Sequence, residues 1–193
     1  IVRYAADRNI TIVPEIDIPG HSAAATFSYP ELKLSAKPVT EIPVSFNDGT
    51  AFDPTNERTY QFLGDVMTEL AALFPGGIIH IGGDECPAEE WFDDPVSLAT
   101  MKRHGLTTGA QAQAWFEQQI CQHVLAAGRR VVAWDEVLEM GAPEGVTVST
   151  ASGDVSITLP QPTGGDGYLV TTQTASGDVD AIASDGRRPV TVT

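Results

Sequence analysis

The 193-residue chain carries 11 Lys and Arg against 26 Asp and Glu, a formal net charge of −15, with 42% hydrophobic and 19% charged residues. That composition is globular, and the acid excess argues against a nucleic-acid partner or an anionic membrane surface, since both reward Lys and Arg. No apolar run approaches the roughly 20 residues of a membrane span, and two cysteines are too few for a disulfide scaffold. The first residue, Ile1, already lies inside an amphipathic pattern. We therefore expect a piece of a longer polypeptide, with any targeting segment and the compartment left open.

In chain order, residues 1–6 read as the end of a helix, with Asn9 as its stop because Asn tolerates the left-handed conformation. Residues 10–18 are β-branched and largely alternating, which predicts a strand broken by Pro19-Gly20. Asp53-Pro54 looks like an N-cap with proline at the first helical position. Tyr60, Leu63, Met67, Leu70 and Phe74 then recur at helical spacing until Pro75-Gly76-Gly77. Residues 78–81 form a short buried strand that ends in Gly82-Gly83. Ala112, Phe116, Ile120, Val124 and Ala127 mark a second long helix, stopped by Gly128. Residues 130–134 are the next strand, and residues 146–148 a further one. Strands alternating with helices in this order require a parallel sheet. Polar loops at the strand ends favour a (β/α) barrel with its active face at the strand C-termini. A doubly wound sheet is the alternative, but no Gly-rich phosphate fingerprint is present.

Composition changes near residue 146. The first 145 residues hold 21 of the 26 acids and all but one of the aromatics, whereas the last 48 contain no Glu, no Lys and only two Leu. With so little apolar surface to bury, residues 151–193 are expected to be a low-complexity tail, irregular or built of short strands. Within this region Thr150-Ala151-Ser152-Gly153-Asp154-Val155 recurs as Thr174-Ala175-Ser176-Gly177-Asp178-Val179, although two copies are fewer than a solenoid needs. Residues 1–150 are taken as a partial (β/α) barrel.

Three strand ends carry the candidate chemistry. At His80-Ile81-Gly82-Gly83-Asp84-Glu85, glycines permit a tight turn and two adjacent carboxylates follow. Adjacent carboxylates cannot both ionise freely, which suits a general acid; equally, Asp84 would serve as the cap of a helix starting near Pro87. At Pro14 to Ser22, Asp17 and His21 would face the same mouth, where His21 would hold a carboxylate or be a structural loop histidine. At Trp134-Asp135-Glu136, Trp134 offers a wall for the apolar face of a sugar or belongs to the core, and the acids could start a helix. Trp91 and Trp115 read as core residues. A metal site is weighed from His21, Asp17, Asp84 and Glu85, but the nitrogen ligands are few and there is no HxH, HExxH or CxxC. We therefore expect no metal and no cofactor. Cys86 and Cys121 read as free thiols, with no Lys or Arg adjacent to Cys86 to activate it.

Taken together, Val13 to His21 (VPEIDIPGH), His80 to Glu85 (HIGGDE) and Ala133 to Glu136 (AWDE) resemble the family 20 glycoside hydrolases, the β-N-acetylhexosaminidases, in order and spacing. The stretch from Phe52-Asp53-Pro54 to Leu73-Phe74-Pro75 is similar to the helix before that family's Asp-Glu motif. The resemblance implies a (β/α)8 TIM barrel of which this chain holds the central strands, with the first two strands missing. It implies hydrolysis of terminal non-reducing N-acetylhexosamine from a glycan or chitooligosaccharide, by a retaining, substrate-assisted route through an oxazolinium intermediate.

In that reading Glu85 is the acid and later the base. Asp84 orients the 2-acetamido group, and Trp134, His21 and Asp17 bind substrate or support the site. The resemblance also implies parts that this sequence lacks. An arginine that grips the terminal sugar would precede Ile1, a second pocket tryptophan is replaced by Ala151, and a Tyr-Leu-Asp is replaced by Tyr168-Leu169-Val170. A reading-frame change or fusion near residue 150 would produce such a tail. The rivals are an inactive remnant or sugar-binding barrel fragment, and a metal-dependent barrel hydrolase.

Overall fold

The computed structural model describes residues 1–34, 41, 50–134 and 136–137 with their side chains, and the backbone alone of residues 138–139 and of five strands beyond. Helix α1 (Val2–Ala6) ends where Asn9 turns to φ +56°, the left-handed stop expected of it. Residues 14–18 then run extended beside β1 (Ile78–His80). Ile16 N–H donates to the His80 carbonyl and Ile18 N–H to the Ile81 carbonyl, while His80 N–H donates to the Pro14 carbonyl. This ladder is shorter than the expected strand over 10–18. Pro14 shares the parity of Ile16 and Ile18 but has no N–H, so it joins through its carbonyl alone.

Helix α2 (Ala23–Ser28) and a 3-10 turn at Pro30–Leu32 follow. Helix α3 (Glu57–Leu73) starts later than the Asp53-Pro54 pattern predicts. Asp53 Oδ1 instead closes a turn on the Thr55 N–H and hydroxyl at 2.8 and 2.7 Å, and Asn56 accepts from Arg58 N–H as the true cap. After β1 and its loop come a 3-10 turn at Ala88–Phe92, α4 (Pro95–Arg103) and α5 (Gly109–Ala126). Helix α4 is capped by Asp94, which accepts from both Val96 and Ser97 N–H. Gly128, at φ +72°, ends the α5 run as expected. Strand β2 (Arg130–Ala133) and the short α6 (Glu136–Glu139) complete the part whose side chains are described.

Strands β1, β2 and β3 (Val146–Thr150) pair parallel, with Ile78 opposite Arg130 and Val131 opposite Val146, so the alternating order does yield a parallel sheet. The sheet continues past residue 150 through β5 (Thr171–Thr174) and β7 (Thr191–Val192), while β4 (Val155–Leu159) and β6 (Val179–Ala183) form a separate parallel pair. The stretch expected to be irregular or built of short strands thus carries short strands, because its Val- and Thr-rich runs favour the extended backbone even without a large apolar face. The six-residue repeat is paired in register: Thr150 lies opposite Thr174 and Val155 opposite Val179. Identical residues are therefore opposite one another in the backbone register at both ends of the repeat.

The core lies where α3 and α5 cover β1 and β2. Leu63 and Met67 of α3, Phe116, Ile120 and Val124 of α5, and Ile79 and Val131 of the sheet are all buried. Phe116 is its centre, with the Tyr60 ring 5.3 Å and the Trp91 ring 6.0 Å away. Trp91 is a core residue, as expected. No helix among the described residues is long and apolar enough to cross a membrane. Phe116→Ala should cost about 3–5 kcal/mol, the usual range for emptying an aromatic site. Urea unfolding followed by tryptophan fluorescence reads this, and a loss under about 1 kcal/mol would show that the site collapses without cost.

Candidate active site

The loop after β1 needs its two glycines. Gly82 and Gly83 have φ of +73° and +107°, where side-chain-bearing residues are strained. A Cβ on Gly82 would also overlap Asp17 Oδ1, and one on Gly83 would overlap Val137. The backbone therefore passes directly over Asp17, whose Oδ1 accepts the Gly83 N–H at 3.0 Å. The Gly83 carbonyl accepts from Gln113 Nε2 at 2.7 Å. With both its polar groups held, this peptide delivers Asp84 and Glu85 to the mouth of the sheet. Glu85 itself adopts φ +48° and His21 φ +45°, strained conformations of the kind that gather at functional sites.

Asp17, His21, Asp84 and Glu85 come together, as the sequence predicts. His21 Nε2 lies 3.7 Å from Asp17 Oδ2, 3.9 Å from Asp84 Oδ2 and 3.6 Å from Glu85 Oε2, at the centre of three carboxylates. Asp84 does not cap a helix: the 3-10 turn at Ala88 has no side-chain cap. Burial raises the Asp17 carboxyl to about 7; the Gly83 N–H opposes this, while the Asp84 charge and a hydrogen bond to Asp84 add to it. Asp17 therefore keeps its proton over most of the acidic range. Asp84 Oδ1 is buried and has no hydrogen-bond partner among the described residues. The Glu85 side chain is 54% exposed. One carboxylate is thus embedded with a free acceptor, and its neighbour is open to the mouth.

Trp134 follows β2 and is 36% exposed, so it is a surface wall and not a core residue. Its backbone N–H donates to the Gly82 carbonyl, which ties it to the same loop. Its indole N–H donates to Glu15 Oε1 at 3.0 Å, and its ring lies 4.7 Å from that of His80. Burial lowers the His80 pKa against the pull of Glu15 and Asp84. Nδ1 of this neutral ring accepts the Gly82 N–H at 3.0 Å. Glu15 and His80 thus set the Trp134 plane, a role that sequence reading missed although both residues lie in the motifs it singled out. Glu136 begins α6, whereas Asp135 lies outside the described residues. So do Ala151 and Tyr168-Leu169-Val170.

Asp17, His21 and Asp84 each offer a ligand atom within 4.8 Å of the others, the one group among the described residues spaced to receive a cation. Cys86 and Cys121 are free thiols, and burial raises both pKa values, Cys121 to about 12. Neither is built as a nucleophile.

The family model described as "Glycosyl hydrolase family 20, catalytic domain" matches residues 1–184. The chain belongs to that family. It is 35% identical over 154 residues to a beta-hexosaminidase of Porphyromonas gingivalis, a match covering 80% of this chain and 20% of the relative. It is 36% identical over 137 residues to a beta-hexosaminidase of Vibrio furnissii, covering 70% of this chain and 22% of that one. Among solved structures, it superposes on a Flavobacterium johnsoniae chitobiase with a TM-score of 0.71 and 29% identity, over 90% of this chain and 27% of the other. A Vibrio harveyi exo beta-N-acetylglucosaminidase, solved in complex with N-acetylglucosamine, gives a TM-score of 0.69 at 29% identity with the same coverage. The chain is thus a mixed α/β piece that matches the TIM-barrel catalytic domains of family 20. It spans about a fifth of the length of these two curated relatives. The family match runs to residue 184, past the composition break near residue 146 and 34 residues beyond the boundary expected at 150.

The proton held on Asp17 makes a signed prediction. A free aspartate loses its proton near 3.9, whereas folded Asp17 holds its proton to about 7. Between these values the folded chain binds more protons than the unfolded one, so this group's contribution to stability falls as pH rises from about 4 to about 7. Asp17→Asn keeps an acceptor for Gly83 and a donor for Asp84 but cannot titrate. Its urea midpoint should decline less than the wild-type midpoint across that window; equal declines would show that Asp17 does not hold its proton above the ordinary range.

Proposed function

We propose that this chain carries the acid–base centre of a β-N-acetylhexosaminidase that releases terminal non-reducing N-acetylhexosamine from a glycan or chitooligosaccharide. The observation that carries this reading is the unequal carboxylate pair. A buried acceptor without a partner costs about 1–3 kcal/mol, so Asp84 Oδ1 is a place for a ligand's donor. Glu85, open to the mouth, is placed for proton transfer. The known binding of N-acetylglucosamine by the Vibrio harveyi relative supports the choice of sugar.

In the proposed mechanism the Asp84 carboxylate accepts the substrate's acetamido N–H. This increases negative charge on the acetamido oxygen and aims that oxygen at the anomeric carbon. The oxygen attacks, the glycosidic bond breaks, and Glu85 gives its proton to the departing oxygen. The product of this step is an oxazolinium ion, and ionised Glu85 then takes a proton from the water that opens it. Two inversions at one carbon retain configuration. The nucleophile belongs to the substrate, so the protein needs one proton shuttle and one orienting carboxylate in place of the acid and nucleophile of a two-carboxylate retaining site. His21, within 4 Å of all three acids, balances the charge as Glu85 changes state. Trp134, held by Glu15, walls the acetamido pocket. Every residue given a role lies within residues 1–150.

A second reading, for these 193 residues assayed alone, is sugar binding without turnover, since they span about a fifth of the two curated relatives above. A chromogenic β-N-acetylglucosaminide and the matching β-glucoside separate the two. Hydrolysis of the first and not the second is the expected result, while N-acetylglucosamine binding without hydrolysis supports this second reading. Where turnover is present, Glu85→Gln should lower kcat about 10²–10⁴-fold on substrates with poor leaving groups. Near-normal turnover in that variant would remove Glu85 from the acid role.

A further inference from the structure

Beneath the Asp84–Glu85 loop lies a polar pair that the mechanism above does not use. Gln113 and Glu117 stand one turn apart on α5 and are 3% and 0% exposed. Gln113 Nε2 spends both of its hydrogens at 2.7 Å, one on the Gly83 carbonyl and one on Glu117 Oε1. A Cβ built on Gly83 would stand 3.3 Å from Glu117 Oε1, so the carboxyl packs against the loop backbone. Glu117 Oε2 has no hydrogen-bond partner among the described residues.

We propose that Gln113 and Glu117 are positioning residues, an uncharged amide–carboxylic acid pair that fixes the Gly83 carbonyl from behind and so sets where Asp84 and Glu85 stand. This rests on the reading that Asp84 and Glu85 carry the chemistry. Ionised, Glu117 would be a fully buried charge with one oxygen unpaired, which is a costly state. The titratable groups facing it are Asp17 on the extended segment, Cys86 on the catalytic loop and Cys121 on its own helix. Asp17 disfavours a second negative charge, and both thiols hold their protons well into the alkaline range. Burial, reinforced by Asp17 and only partly opposed by the Gln113 bond, raises the Glu117 carboxyl to about 8. A proton on Glu117 lets the pair grip Gly83 without adding a charge to a mouth that already holds three carboxylates.

The test is nuclear magnetic resonance titration of the 193-residue chain, which reads position and protonation without needing turnover. In the wild type, the Gln113 side-chain amide and the Glu117 carboxyl carbon should move together with a midpoint near 8. In Glu117→Gln the Gln113 transition should vanish, while the Gly83 and Asp84 amide shifts stay close to wild type below that midpoint. Gln113→Leu should displace the Gly83 and Asp84 amides while the Ile120 and Val124 amides, further along α5, hold. A Glu117 midpoint at the ordinary value of about 4.3, or unmoved Gly83 and Asp84 amides in Gln113→Leu, overturns the proposal. Should either variant fail to fold, the wild-type Glu117 midpoint alone decides. A chain that binds sugar without hydrolysing it removes the proposed function and leaves this measurement intact.

Discussion

The site depends on one peptide unit. Gly83 gives its N–H to Asp17 on the first extended segment and its carbonyl to Gln113 on α5. Those partners lie 66 residues before and 30 residues after it, so the loop is set by tertiary structure and not by local turn chemistry. The contact requires glycine twice, for the backbone angles at Gly82 and Gly83 and for the space taken by Asp17 and Val137. The path from glycines to chemistry is therefore short: without side chains at 82 and 83 the backbone can rest on Asp17, and only then do Asp84 and Glu85 reach the mouth.

That placement concentrates acid. Asp17, Asp84 and Glu85 all lie within 4 Å of a single imidazole nitrogen. Full ionisation would be costly in a partly buried site, and the structure shows how the cost is relieved. Asp17 keeps a proton and hydrogen-bonds to Asp84, while Glu85 projects toward water. In the proposed mechanism these unequal environments do what two chemically similar side chains cannot do alone: they suit one carboxylate to orientation and the other to proton exchange. Glu15 lies outside this cluster and acts on another group, holding the Trp134 indole beside His80.

Much of this was legible in the sequence where local rules govern. The Asn9 stop, the Gly128 stop, the α5 stripe and the parallel order of β1 to β3 all follow from side-chain period and backbone preference. The start of α3 was misplaced because Asp53 and Asn56 are both good caps, and only the Thr55 contacts decide between them. Trp134 could not be assigned to wall or core from pattern alone, since a strand-end tryptophan fits both until its exposure is known. Gln113 and Glu117 were missed for a sharper reason. They sit one position from Ala112 and Phe116 on the buried stripe, and polar residues beside an apolar stripe are ordinarily its solvated border. The Gly83 loop, 30 residues earlier in the chain, and not the helix's own pattern, is what holds them in the interior.

The tail shows the opposite case, in which sequence pattern is strong but its physical meaning depends on pairing. Two identical hexapeptides have equal local preferences, so neither copy alone says whether it forms strand, turn or coil. Parallel pairing at a constant offset brings Thr150 to Thr174 and Val155 to Val179, and then each copy supplies the other's neighbours. Such pairing needs little hydrophobic surface, because backbone hydrogen bonds carry it and Thr and Val favour the extended backbone. A stretch poor in Leu and aromatics can therefore extend the sheet that a richer stretch began.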